Sequence, residues 1–137
     1  MLRFTRELIA FRRRHRILTA NRFFDGRPVP ERDLPDICWH GARLGEPAWH
    51  DPNGQLLAFT LAGADEEEDL HVIFNMADAT IDVMVPDIPG RTWHVALDTA
   101  QPSPRDIVAR ARQRPYRESH YSAQPRSVVV LEGRSGQ

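Results

Sequence analysis

The side chains of this sequence that could do chemistry are its histidines, its cysteine and a run of acidic residues. The six histidines lie at positions 15, 40, 50, 71, 94 and 120, and no two have the four-residue spacing of a helical zinc pair. The acidic run at 65–69 lacks the alternating Asp/Asn pattern and the glycine turn of a calcium loop. We therefore predict a solvated hairpin loop at 65–69 and no metal site.

Motifs for nucleophilic or phosphate chemistry are missing as well. The sequence has no G-x-S-x-G elbow and no glycine-rich phosphate loop, and its acids, such as Asp51 and Asp98, are scattered over predicted loops and turns. Glycoside hydrolysis needs two carboxylates held across the scissile bond by a rigid scaffold. The sequence thus predicts no catalytic residue and no cofactor, and the chain alone is not expected to be an enzyme.

Cysteine usage and the N-terminal residues bear on the compartment. Cys38 is the only cysteine, so an internal disulfide is excluded, and its position between Ile37 and Trp39 in a predicted strand favours a buried, inert thiol. The N-terminus lacks the apolar segment of a secretory signal. We expect a cytoplasmic setting.

Composition and charge limit the partners. Eighteen basic against nineteen acidic residues give a formal net charge of -1, so the chain has no general attraction for nucleic acid or anionic lipid. No stretch is apolar enough to span a bilayer. With 137 residues the chain can form a domain with its own core but not an α/β barrel.

The element nearest the N-terminus is predicted to be an amphipathic helix. Phe4, Leu8 and Phe11 fall on one side of FTRELIAFRRRH, and the arginines near its end suit the negative pole of the helix dipole. The following stretch, 21–36, is punctuated by proline and glycine, which predicts an irregular segment anchored by Phe23 and Phe24.

From Ile37 onward the pattern is that of short strands bounded by turns. The predicted strands are ICWH, QLLAFTL, LHVIFNM, TIDVMVP, TWHVALD and SVVVL. The connections are too short for crossover helices, so the pairing is antiparallel and two packed sheets are expected. The segment 101–124, rich in Pro, Ser and Arg, is predicted to be a surface excursion with one helical turn at 106–112.

The three tryptophans are the residues best suited to stack on sugar rings. Trp39 and Trp93 lie in predicted strands, which favours positions in the core. Trp49 lies in a loop with Gly and Pro and is the candidate for an exposed carbohydrate platform.

Several stretches resemble one family along nearly the whole chain. LIAFRRRHRIL with NRFFDGRP, DICWHGARLGEPAWHD with QLLAFTLAG, and then DLHVIFNM, TWHVALDTA and PRSVVVLEG are similar to the C-terminal region of isoamylase-type glycogen debranching enzymes of the α-amylase superfamily, glycoside hydrolase family 13. The resemblance implies that 1–36 is the last helix of a catalytic barrel with its linker, and that 37–137 is an all-β antiparallel β-sandwich like other α-amylase C-terminal domains.

The same resemblance implies a function. The parent would hydrolyse α-1,6 branch linkages of glycogen or limit dextrin with acids that lie upstream of this chain, so no catalytic residue carries over. The chain would be a non-catalytic accessory domain that packs against the barrel. The residues expected at that interface are Phe4, Leu8, Phe11, Phe23 and Phe24.

Two further readings stay open beside this one. A glucan-binding module would use Trp49, with Tyr116 or Tyr121, to hold glycogen or maltodextrin. A nucleic-acid-binding β domain would use the arginines of 12–16 and 105–126, but basic and aromatic residues do not interleave on any strand. No nucleic acid and no membrane partner is therefore predicted, whereas self-association through an uncovered helix face is a further expectation.

Overall fold

A computed structural model describes residues 2–19, 24–29, 32, 34–47, 53–63 and 67–135. Helix α1 spans Leu2–Arg14, and a short helix α2, Arg16–Thr19, follows. The α1 sequence has no Gly or Pro and ends in three arginines, which stabilise the carboxyl end of the helix dipole. The predicted helix at the N-terminus is confirmed.

Within the described residues, eight strands follow the helices. They are β1 Ile37–His40, β2 Leu56–Leu61, β3 Asp69–Asn75, β4 Ile81–Met84, β5 Arg91–Asp98, β6 Pro115–Tyr116, β7 His120–Ala123 and β8 Ser127–Ser135. A 3-10 turn, Arg110–Arg112, lies between β5 and β6. The six strands predicted from the sequence are all present, and β6 and β7 are additional.

The strands form two antiparallel sheets. The large sheet has six strands in the order β1-β2-β3-β8-β5-β6, and the small sheet pairs β4 with β7. Every strand pair is antiparallel, with Val72 opposite Val130 near the centre of the large sheet. The predicted fold, an all-β sandwich preceded by one helix, is confirmed.

Helix α1 covers one face of the large sheet. Phe11, 5% exposed, packs in a cluster with Leu70, Val72 and Val130 from the central strands. Phe4 and Phe24 are half-buried against the same cluster. Burial of an aromatic side chain contributes about 1.5–3 kcal/mol, so Phe11 anchors the helix to its own sheet.

The small sheet covers the opposite face. Val83, on β4, is fully buried against Ile73 and Leu131 of the large sheet. Trp93 closes this layer, and its indole N–H donates to the carbonyl oxygen of Pro86 at 2.7 Å. Ile81, Val83 and Val85 alternate with Thr80, Asp82 and Met84, and this period of two is typical of a strand with one buried face.

Several sequence expectations are wrong in detail. Trp39 is not in the core: it lies on the edge strand β1, 38% exposed, with one side on Phe59. Cys38 is half-buried instead of buried, because an edge strand has a neighbour on one side only. The segment 101–124 contains β6 and β7 and is not merely a surface excursion.

The acidic run is also not a fully solvated loop. Asp69 is completely buried, and the side chain of Glu68 is 17% exposed. Both carboxylates face arginines that come from distant parts of the sequence. The acidic run was predicted to be solvated because its arginine partners are distant in the sequence and could not be identified from it.

Candidate functional site

A buried ion network joins the end of α1 to the large sheet. Glu132 of β8 is fully buried, and its Oε1 accepts hydrogen bonds from His15 Nε2 at 2.9 Å and from Arg14. Glu68 Oε1 lies 3.8 Å from the same His15 nitrogen. Burial alone would raise the pKa of Glu132, but the bond from His15 and the Arg14 guanidinium lower it to about 2.

This network has the composition of a metal site but already carries its own cations. His15 Nε2 and carboxylate oxygens of Glu68 and Glu132 lie within 4.8 Å of one another. Arg110 approaches Glu68 at 2.9 Å, and Arg134 lies 3.5 Å from Glu68 and 3.6 Å from Glu132. Since Arg14, Arg110 and Arg134 balance the two carboxylates, a metal ion would have to displace guanidinium groups, and we interpret the cluster as structural.

A second buried carboxylate fastens the segment before β1. Arg32 binds Asp69 with both guanidinium nitrogens, at 2.5 and 2.8 Å, and also donates to the carbonyl oxygen of Gly63. The backbone N–H of Gly63 donates to Asp69 at 2.9 Å. Arg91 lies 3.6 Å from the same carboxylate. The bidentate geometry makes this one of the stronger ion-pair types.

A chain of neutral polar groups runs under the small sheet. The backbone N–H of Gly45 donates to Nδ1 of His40, so Nε2 of His40 carries the proton and donates to Thr60 Oγ1 at 2.9 Å. The Thr60 hydroxyl then donates to Nδ1 of His71, also at 2.9 Å. Burial, with a smaller contribution from His40, lowers the pKa of His71 to about 3.

A groove lies between α1 and the segment that follows β5. Its volume is about 680 Å³, and its base includes Val95, Ile107, Tyr116 and Tyr121. The two tyrosine rings have centroids 5.1 Å apart and are tilted by 54°, so they are not coplanar and do not form one flat platform for consecutive sugar rings. The walls carry charged residues, which are Arg3, Glu7, Arg105, Arg112 and Arg114.

The residues predicted for a domain interface differ in their burial. Phe4, Phe11 and Phe24 pack within the chain, whereas Leu8 is 41% exposed. Phe23 lies outside the described residues, as does Trp49, the predicted carbohydrate residue. The helix instead exposes Leu2 and Ile9, 70% and 49%, which are seven residues apart and therefore on one side.

Leu8 was named from the sequence as an interface residue, but Leu2 and Ile9 were not. The spacing of Leu2 and Ile9 indicates a second apolar position, on the side of the helix away from Phe4 and Phe11. Arg6, Arg12 and Arg13 are exposed on the same helix. We call Leu2 and Ile9 the outer helix residues.

Comparison with known proteins identifies the family of this chain. The family model for the C-terminal region of isoamylases 1 to 3 matches residues 38–131, which include β1 except Ile37, all of β2 to β7 and the first five of the nine residues of β8. The chain belongs to this isoamylase C-terminal family. The resemblance stated from the sequence is confirmed.

A curated relative extends the match beyond the sandwich. Isoamylase 3, chloroplastic, from Oryza sativa subsp. japonica is 29% identical over 133 residues, which cover 96% of this chain. Those residues are 15% of the rice protein, so the chain spans only a small part of that relative. The match is long enough to take in α1 as well as the sandwich.

The compartment is less clear than the family. The rice relative is named as a chloroplastic protein, so the cytoplasmic expectation for this isoamylase domain stays a prediction. In the described residues, no helix combines the length and apolarity needed to cross a bilayer.

Proposed function

We propose that this chain is the non-catalytic C-terminal accessory domain of an isoamylase-type debranching hydrolase, and that it packs against the catalytic barrel and stabilises it. The parent would cleave α-1,6-glucosidic branch linkages in glycogen or a limit dextrin. The observation that carries the proposal is the family match over 38–131. The division into a barrel helix with linker, 1–36, and a sandwich, 37–137, is part of the same proposal.

The two sides of α1 support a connecting role. One side is fixed to the sandwich by Phe11 and by the bonds from Arg14 and His15 to Glu132. The outer helix residues leave apolar surface toward solvent. An apolar surface flanked by arginines suits a protein partner that is apolar with acidic residues at its edge. In this proposal the partner is the barrel.

A chimera tests the proposal. The part of rice isoamylase 3 that matches this chain would be replaced by the chain itself. We expect the chimera to release reducing ends from a branched maltodextrin, and the isolated chain to release none. An isolated chain with turnover would disprove the non-catalytic role.

A helix variant tests the packing surface. Changing Leu2→Asp together with Ile9→Asp should lower the unfolding temperature of the chimera, because two charges would be buried without partners. Met76→Asp, at an exposed apolar residue that follows β3 and is not part of α1, is the matched control. The packing role is contradicted if the double variant and Met76→Asp unfold at the same temperature in the chimera.

A further inference from the structure

The groove between α1 and the segment after β5 has features that the accessory role does not use. Its volume of about 680 Å³ lies within the range of roughly 300–1,000 Å³ typical of small-molecule sites. The base is apolar and aromatic, and arginines form the walls. A structural domain needs no such combination at its surface.

The net charge of the groove indicates the charge of a ligand that would bind there. Four arginines and one glutamate line it, so the lining carries a net charge of about +3 from four minus one. Arg3 is paired with Asp106. Within the described part of the chain, Arg105, Arg112 and Arg114 contact no carboxylate. Unpaired guanidinium groups facing a concave surface favour an anion, and phosphate oxygens match their geometry best.

The two tyrosines that line the groove place a second requirement on the ligand. The hydroxyl of Tyr121 donates to Asp98 at 2.6 Å, and that of Tyr116 donates to the carbonyl oxygen of His120. Burial, together with the hydrogen bond to Asp98, raises the pKa of Tyr121. Both hydroxyls therefore donate within the protein, and both tyrosines line the groove together with the apolar Val95 and Ile107. A ligand that fits has an apolar ring face beside its phosphate group.

We propose that the groove binds a phosphorylated hexose, with its phosphate on Arg105, Arg112 and Arg114 and its sugar ring against Tyr116 and Tyr121. The choice of a sugar rests on the proposed function, whereas the choice of a phosphate rests on the unpaired arginines. The hexose phosphate has two sources, a free sugar phosphate and a phosphate ester on a glucan chain.

Calorimetric titration of the 137-residue chain separates the sources. The probes are glucose 6-phosphate, maltotetraose, inorganic phosphate and a maltodextrin phosphorylated at the 6-position. Binding of glucose 6-phosphate identifies the free sugar phosphate, and binding of the phosphorylated maltodextrin alone identifies the ester. Either result supports the proposal. Maltotetraose or inorganic phosphate binding as tightly as both phosphorylated sugars would overturn it, and so would the absence of binding by every probe.

Variants locate the binding. Arg112→Ala combined with Arg114→Ala should weaken the phosphorylated ligand by about tenfold or more, since charge-assisted hydrogen bonds are lost. Arg117→Ala removes an exposed arginine of the same segment that does not line the groove, and it should leave affinity unchanged. Equal loss in both variants would show nonspecific attraction and overturn the site. A negative result would not touch the barrel-packing proposal, because the chimera is measured without phosphorylated sugar.

Discussion

The face of the large sheet that α1 covers holds a buried carboxylate, Glu132, whereas the face that the small sheet covers holds a chain of neutral histidines. Glu132 is ionised and tied to Arg14 and His15 of the helical region. His71 stays neutral because protonation would place a charge among buried groups. The helix is thus attached through charge and apolar contact together, and the small sheet through apolar contact beside polar groups without charge.

The two faces of the large sheet differ in how they respond to the loss of a partner and to a change of pH. An ion pair that crosses between elements fixes their relative position, because removing either partner leaves a buried charge. The neutral hydrogen bonds from His40 through Thr60 to His71 join β1, β2 and β3, and they persist only while the pH keeps the histidines neutral. Asp69 lies on the histidine side of the sheet, but it binds Arg32 of the segment before β1 and not the small sheet.

The largest expected effect is that of Glu132→Ala. Removing this carboxylate leaves buried cationic groups without their partner, so the free energy of unfolding should fall by about 3–5 kcal/mol. Urea unfolding measures the loss, and hydrogen exchange should show α1 released more than β4 and β7. Asp82→Ala, at an exposed residue of the small sheet, is the control. A loss below about 1 kcal/mol would mean that the helix is not held by this network.

Acidification should weaken the histidine side first. The pKa of His71 is about 3 in the folded chain and 6.5 in the unfolded chain, so between these values the unfolded state binds more protons. Stability should therefore fall as the pH drops from about 6.5, by about 1.4 kcal/mol per pH unit from this residue. Burial lowers the pKa of His40 too and adds to the slope. Glu132 adds its loss below about pH 4.5, where the unfolded carboxyl starts to protonate.

The variant for this prediction is His71→Phe. It should reduce the pH dependence of the free energy of unfolding between pH 6.5 and 4.5, as measured by chemical unfolding at each pH. His120→Phe changes an exposed histidine and should keep the wild-type slope. If both variants keep the slope, another group titrates there.

A packing change under the small sheet should have a moderate effect. Ile73 is completely buried between the two sheets, so Ile73→Val removes one methyl group from a site where little can relax. The free energy of unfolding should fall by about 0.5–1.5 kcal/mol, equally at pH 7.5 and pH 5.5. A loss that depends on pH over that range would show that packing and the histidine chain are coupled.

The smallest effect is expected from an exposed ion pair. Arg126 and Asp78 contact each other, with side chains 75% and 81% exposed. Arg126→Ala should change stability by at most about 1 kcal/mol in denaturant unfolding, because water already solvates both charges. A change as large as that of Glu132→Ala would contradict the view that burial gives the Glu132 network its strength.

The regular elements were readable from the sequence because each has a local pattern. The alternation at Ile81, Val83 and Val85 and the spacing of Phe4 and Phe11 indicate a strand and a helix without knowledge of the rest. β6 and β7 were not readable, since Pro115–Tyr116 is too short for a period and His120–Ala123 contains only two apolar residues.

The polar networks were not readable for a different reason. His15 and Glu132 are 117 positions apart, and Arg32 and Asp69 are 37 apart, so no motif links them. The arginine run at the end of α1 was attributed to the helix dipole alone, yet Arg14 binds a completely buried carboxylate. Partners of this kind appear only when the strand order is known.

The position of β8 also affects how the chain can fold. It is the last strand along the sequence, yet it lies between β3 and β5 in the large sheet. Until Ser127–Ser135 has been synthesised, both neighbours expose an unpaired edge, and unpaired edges recruit strands from other molecules. Nascent or truncated chains that lack β8 should therefore depend on chaperones to stay unaggregated, whereas a chain that includes β8 closes the sheet itself.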